Sequence, residues 1–410
     1  MLRKNLKYSI VEGSWFALMF GLGENYLSAM AVYLGFSALQ ISILNSLPQL
    51  IGAFIQLGTD AITKFFKSTK SFVVNLSLLQ SILWLVLIVI INTSTTYYPI
   101  LIWSILYFSV SSIIGPAWIS WMGYLVPLRI RSNYHANRNR IIHFNIFISI
   151  LIGGIILRIY DQNMIFAFTL MFSIGAFGRI MSSYYLSKKN TIDTTTSTLK
   201  INYRKLFSDE RKITFITYNT FIHFSVMFLG PLFSIYILRT MELSYFILTL
   251  CMVSWWLGNV FSSRAWGRLG KLKGNLFVLK ITTILMCILP AFWISVYYFE
   301  PNGRIIVSLI INLLAGVSFS GFGLASFNII YELCSDDDVI KFSALTNCLK
   351  GIGIFLGSLF AGLIVDSSYL LNFLKDFNFT TIQLSMLISI VLRFVSLLIL
   401  TKLTLEHKNA

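Results

Sequence analysis

The sequence predicts an all-α polytopic membrane protein with twelve transmembrane helices, arranged as two pseudo-symmetric bundles of six. Three observations carry this. Of the 410 residues, 56% are hydrophobic and only 12% charged, against about 25% charged in a soluble domain. Apolar runs long enough to cross a bilayer recur along the whole chain. One long polar segment divides them six and six, and motifs recur between helices six apart.

The apolar runs fall at 8–34, 38–62, 72–91, 100–124, 140–157 and 164–186, then at 213–238, 245–266, 276–298, 305–331, 342–365 and 382–400. A spanning helix needs about 20 residues. The polar segment 187–212 holds Thr191-Ile-Asp-Thr-Thr-Thr-Ser-Thr198 and seven basic residues, the composition of a flexible linker. The expected organisation is a first bundle over 1–186, a cytoplasmic linker over 187–212 and a second bundle over 213–410.

A net charge of +16 would point to nucleic acid in a soluble protein. Its placement points elsewhere. With both termini cytoplasmic, 24 of the 32 Lys and Arg lie in cytoplasmic segments. Only Arg158, Arg239, Arg304 and Lys375 fall in external loops, and Arg179, Lys280, Lys350 and Arg393 lie within spans. This is the positive-inside pattern of a multi-pass protein of the cytoplasmic membrane. No nucleic-acid partner is expected.

The four cysteines, Cys251, Cys287, Cys334 and Cys348, show no metal-ligand spacing and read as packing residues. No cofactor or metal is expected. Ala29-Met-Ala31 resembles a signal-peptidase site, but cleavage there would leave eleven spans with mismatched loops.

The two halves echo one another. Helix 6 ends Arg179-x-x-Ser182…Leu186-Ser187-Lys188, and helix 12 ends Arg393-x-x-Ser396…Leu400-Thr401-Lys402. Arg131…Asn137-x-x-Arg140 before helix 5 matches Lys341…Asn347-x-x-Lys350 at helix 11. Gly23 and Ser37 match Gly230 and Ser244 in helices 1 and 7. Parallel six-helix repeats joined by a linker are one of the ways transporter folds are built.

Two motif regions carry a family resemblance. The first is Gly21-Leu-Gly23-Glu24-Asn-Tyr26-Leu…Leu34-Gly35 with Leu47-Pro48…Gly52-Ala53…Gln56-Leu57. The second is Gly115-Pro116-Ala-Trp118-Ile-Ser-Trp121…Leu125-Val-Pro127…Arg131-x-x-Tyr134-x-x-x-Arg138-Asn-Arg140. Over essentially its whole length the chain resembles bacterial permeases of the major facilitator superfamily. The resemblance implies a secondary transporter for a small solute, with helices 1, 4, 7 and 10 lining the path. A single chain would suffice, in contact with solute, bilayer and possible coupling protons.

The departures from that family are informative. Its signature between helices 2 and 3 reads here Gly58-Thr-Asp60-Ala-Ile-Thr-Lys64-Phe-Phe-Lys67, with the acid displaced and the second glycine missing. The copy between helices 8 and 9, Trp266-Gly267-Arg268-Leu-Gly270-Lys271, has no acid. If the family's gating contact survives, Asp60 would face the start of helix 11. A plain helix end is an equal alternative. Helix 4 lacks an embedded Arg, and helix 5 has Gly153-Gly154 without Gly-Pro, which disfavours a proton-driven drug exporter.

On the expected lining helices the polar residues are few. Helix 1 offers Glu24, Asn25 and Tyr26, helix 4 offers Tyr107, helix 7 offers Asn219 and His223, and helix 10 offers Asn312. Helix 2 adds Asn45 and Gln49. Glu24 stands out, since a charged residue at membrane depth costs roughly 2.5–3.5 kcal/mol on insertion scales and usually faces protein or a water path. It reads either as a proton- or cation-coupling group or as a hydrogen-bonded interior carboxyl. His223 is a group that exchanges protons near neutrality, or a satisfied interior histidine. Arg179 and Arg393, equivalent on helices 6 and 12, read as structural. Arg131 and Lys350 read as gating or anchoring groups, and Glu12 as an interface anchor. Asp336-Asp337-Asp338 suits a helix start better than a metal site.

No Gly-x-x-x-x-Gly-Lys loop appears, so the chain supplies no phosphate loop of its own. The alternatives are a membrane enzyme acting on lipid, which would need acids or histidines clustered at one face, and a non-transporting receptor on a permease fold.

Overall fold

The computed structural model describes residues 2–190, 209–334 and 336–404, with backbone alone at 2, 60, 61, 128, 132, 133, 136, 336–338, 340 and 341. The side chains of Asp60, Lys341 and acidic residues 336–338, together with His407 and most of the expected linker, lie outside the described residues.

All regular structure among the described residues is helical. Among the described residues eleven helices are long and apolar enough to span a membrane. They are Ala38–Gln56 (helix 2), Thr69–Thr93 (helix 3), Tyr97–Leu125 (helix 4), Leu128–Ile159 (helix 5), Met164–Ser187 (helix 6) and Glu210–Thr240 (helix 7). Tyr245–Lys273 (helix 8), Asn275–Val296 (helix 9), Pro301–Leu333 (helix 10), Asp336–Val365 (helix 11) and Thr381–Thr401 (helix 12) complete them.

Helix 1 is the twelfth span and is interrupted. Its segments Leu2–Leu22 and Leu27–Tyr33 flank a 3₁₀ turn at Glu24–Tyr26. The break divides the apolar run, and Lys7 and Glu12 sit in the first segment, so neither piece alone has the length and hydropathy of a span.

Contacts group the chain into two compact units: Met1–Phe36 with Leu47–Thr198, and Ser37–Ser46 with Leu199–Ala410. In the first unit helix 6 packs against helices 1 and 3, and helix 1 also packs on helix 5. Small residues permit these approaches. A Cβ at Gly21 would come within 2.4 Å of the Ser149 side chain, and one at Gly153 within 2.6 Å of the Tyr26 ring. Phe72, Val73, Ile113, Trp121 and Met122 form an apolar core where helix 3 meets helix 4.

In the second unit helices 8 and 10 cross backbone to backbone. A Cβ on Gly258 would lie 2.0 Å from the Leu313 carbonyl oxygen, and one on Gly316 equally close to that of Trp255. Trp266 Nε1 donates to Val317 O at 2.8 Å and Ser320 Oγ to Asn259 O at 3.0 Å across the same crossing. With no water to drive apolar association, membrane helices depend on such close packing. Gly316→Ala is therefore expected to force these helices apart and cost about 1–3 kcal/mol, as overpacking does, read as a lower melting temperature of purified protein. An unchanged melt would show that the crossing tolerates a methyl group.

The N-terminal part of helix 2, through Ser46, belongs to this second unit. Asp366 accepts from the backbone N–H groups of Ala38 (3.0 Å) and Leu39 (2.8 Å), and Ser37 Oγ accepts from Gln40 N–H at 3.2 Å. Three N–H groups left over at a helix start are thereby satisfied. Ser244 does the same for helix 8, accepting from Ile247 N–H.

The matched pairs of the repeat thus have a common structural meaning. Ser37 and Ser244 are N-caps of the second helix in each repeat. Gly23 and Gly230 mark breaks in the first, at the 3₁₀ turns Glu24–Tyr26 and Gly230–Leu232.

Candidate functional site

A broken helix inside a bilayer frees backbone groups that must find partners within the protein. In helix 1, Gly23 leaves the helical conformation (φ −102°, ψ −83°). A Cβ there would lie 2.6 Å from the Trp84 ring, so only glycine lets this indole pack against the break. Asn25 Nδ2 donates to the Phe20 carbonyl at 2.9 Å and satisfies an acceptor at the interruption. Tyr26, fully buried, donates its hydroxyl to Ile150 O on helix 5 at 2.6 Å. Asn25 and Tyr26 are thus engaged within the first unit.

Glu24 is the polar side chain that the break presents. It is only partly buried, and Tyr107 on helix 4 donates its hydroxyl to Glu24 Oε1 at 2.7 Å. The same hydroxyl lies 3.1 Å from Met19 Sδ. Tyr107 is held rigidly, stacked on Trp103 at 5.1 Å and edge-on to Trp84 at 5.2 Å. Among the described residues Glu24 forms no ion pair. Arg179 acts on it electrostatically, but the guanidinium is directed elsewhere, to Gln80 Oε1 (2.8 and 2.5 Å) and Ser182 Oγ (3.2 Å).

Arg393, the repeat counterpart of Arg179, donates to the Met286 carbonyl on helix 9. Arg179 therefore ties helix 6 to helix 3, and Arg393 ties helix 12 to helix 9, the equivalent pair of the second repeat. The acceptor is a side chain in one half and a backbone carbonyl in the other. Arg179→Met is expected to leave the buried Gln80 amide without its partner and to lower stability by about 1–3 kcal/mol, measured by thermal unfolding. A melt like that of the wild type would show the tie to be dispensable.

In the second unit the break follows His223. Helix 12 covers it: Ser389 Oγ donates to Ser225 O and Ser385 Oγ to Phe228 O, both at 2.6 Å. His223 Nδ1 lies 2.7 Å from the Asn219 carbonyl. A carbonyl only accepts, so Nδ1 carries the proton, and in the neutral ring Nε2 keeps its lone pair. The ring sits against Phe322 at 5.5 Å. Asn312 is buried and donates to Ser308 O at 2.9 Å.

Lys350 shares the stripe of Ile354, Gly357 and Ala361 on helix 11, the face on which Gly357 meets helix 7. Asn45 falls in the second unit and donates to Ile41 O. Gln49 falls in the first and is exposed. Arg131 caps the end of helix 4 through the Gly123 and Val126 carbonyls, as basic side chains do at helix C-termini.

A second polar centre, near the start of helix 1, was not assembled from the sequence. Glu12 Oε1 accepts from Arg138 Nη2 (3.0 Å), Lys189 Nζ (3.1 Å) and Trp118 Nε1 (3.1 Å). All three charged residues are buried. Arg138 lies 4.4 Å over the Trp118 ring, and Lys189 is 5.3 Å from that of Trp121, geometries in which a cation is attracted to the ring face. An acid on helix 1, a base on helix 5 and a base just past the end of helix 6 were the available signal. The described residues hold no group of three or more His, Cys, Asp or Glu placed to bind a metal.

No protein-family model and no curated protein sequence matches the chain. Solved structures do match. The chain is similar to the nucleoside transporter NupG at 14% identity and TM-score 0.73, covering 98% of each chain. It is similar to the POT family transporter PepTSo at 11% identity and TM-score 0.76, again over 98% of each. A bacterial homologue of the iron transporter ferroportin, in an inward-facing state, is similar at 12% identity and TM-score 0.73 over 98% of each. At such identities the likeness establishes the fold alone, an all-helical, many-span architecture shared with these transporters over nearly the whole chain.

Proposed function

We propose that the chain is a secondary transporter that moves a small solute across the cytoplasmic membrane by alternating access of its two six-helix repeats, with Glu24 as a proton-coupling group. Full-length likeness to a nucleoside transporter, a POT family transporter and a bacterial homologue of an iron transporter favours transport over lipid chemistry. The observation that carries the reading is local. The first helix of the first repeat is broken inside an apolar run, and the break presents a carboxyl whose bond to Tyr107 is not an ion pair. Discontinuous helices form the substrate and ion sites of several transporter folds, and an intramembrane ionisable group is a functional candidate by default. The distribution of Lys and Arg supports cytoplasmic termini.

A thermal-shift screen of nucleosides, peptides, sugars, organic acids and divalent cations on purified protein tests this first. A stabilising solute should then exchange across proteoliposome membranes carrying the protein. A solute that stabilises the protein yet is never exchanged would overturn transport and favour a receptor.

A further inference from the structure

The connection between helices 11 and 12 contains the short helix Ser368–Lys375, on which transport by the proposed mechanism makes no demand. Its start is capped by Ser367 Oγ, which accepts from Leu370 N–H, and Leu374 is buried against the second unit. Beyond it Asn378 adopts a left-handed conformation (φ +51°) and the chain enters helix 12 through a capping box between Thr380 and Gln383. The segment is therefore fixed in place at both ends.

Its surface carries a flank of exposed aromatic side chains. Tyr369, Phe373 and Phe377 recur at four-residue spacing along one flank and are 76%, 54% and 67% exposed. Phe373 and Phe377 touch, with ring centroids 5.4 Å apart. Ser368, Asn372, Lys375 and Asp376 are also exposed off that flank, as is Leu371 at 53%, and Leu371 and Lys375 line a cavity with Thr240 and Tyr297. Further exposed apolar side chains of the same unit lie beside the segment. Tyr298 and Phe299 are exposed at the end of helix 9, Tyr298 reaches the Asn378 carbonyl at 3.4 Å, and Leu363 is exposed on the last turn of helix 11.

We infer that Ser368–Lys375 is an interfacial helix seated in the phospholipid leaflet opposite the termini, with Tyr369, Phe373 and Phe377 among the upper acyl chains and Asn372 and Lys375 at headgroup level. Helices with an aromatic flank and a polar, basic face lie in the membrane plane. Tyrosine sits at the boundary, and a lysine extends its ammonium to the phosphates. The occupant follows from continuity. The helix joins two spans, so its exposed aromatic flank meets the bilayer edge wherever those spans end.

Site-directed spin labelling in proteoliposomes tests this, with Cys251, Cys287, Cys334 and Cys348 replaced by alanine. Labels at Tyr369→Cys, Phe373→Cys and Phe377→Cys should be reached by oxygen and shielded from a water-soluble nickel chelate. Labels at Ser368→Cys and Asn372→Cys should show the opposite preference. Equal access of the chelate to both sets would overturn the inference, as would dipolar broadening between labels at Phe373→Cys, which would place a second copy of the chain on this flank. On the unmodified protein, a photoactivatable phospholipid should leave adducts on residues 369–377. Adducts on Phe360 and Leu363 with none on 369–377 would equally overturn it.

Discussion

Glu24→Gln is expected to abolish pH-gradient-driven accumulation of solute in proteoliposomes while leaving passive exchange in place. The amide oxygen of glutamine can still accept the Tyr107 hydroxyl, so the substitution removes the titrating group and spares the hydrogen bond at the helix break. Melting temperature should therefore stay near that of the wild type. Tyr107→Phe makes the complementary change. It keeps the carboxyl and removes its hydroxyl donor, a loss of about 1–3 kcal/mol for a polar group left without its partner. Coupling should shift in its pH dependence without disappearing. Accumulation by Glu24→Gln that is unchanged and insensitive to pH would sink the coupling role.

Glu12→Gln is expected to destabilise the first unit by about 3–5 kcal/mol, the range for breaking a buried ion pair by removing one partner. Arg138 and Lys189 would remain as two buried cations sharing only an amide oxygen. Lys189→Met should cost much less, because Glu12 and Arg138 then form a balanced pair and the methionine fills apolar space beside Trp121. Residues in one network do not contribute additively, so the double variant Glu12→Gln with Lys189→Met should be more stable than Glu12→Gln alone. Thermal unfolding of the purified variants measures all three. If the two single variants melt at the same temperature, charge balance is not what holds this cluster.

Much of the fold was legible because membrane insertion writes a simple pattern: spanning length, apolar content and basic loops on alternate sides. Helix 1 shows where that legibility ends. Its apolar run marks a span, yet it is broken at Gly23, where the Trp84 indole from helix 3 occupies the space of a side chain. The echo of Gly23 and Ser37 in Gly230 and Ser244 was visible as spacing. That it encodes a break and a cap in each repeat depends on hydrogen bonds.

The candidate site was legible in the same partial way. Glu24 stood out as an acid among apolar residues, but its donor lies 83 positions away on helix 4. Asn25 and Tyr26 looked equivalent to it in one dimension. In three, their polar groups are bonded to Phe20 and Ile150, while Glu24 is left without a counter-ion among the described residues. Glu12 was readable only as an interface anchor, because Arg138 and Lys189 are 126 and 177 residues distant.

The sequence alone determined that twelve apolar segments cross a membrane in two related sets of six, because solvation in lipid is decided residue by residue along each segment. Only the tertiary structure decided which polar side chains are spent on structure and which remain available. Glu24 was an anomaly by composition alone. It became a candidate site because the neighbouring helices supply it with a hydroxyl and, among the described residues, no ion-paired base, and hydrogen bonds and ion pairs form between helices whose packing no local pattern specifies.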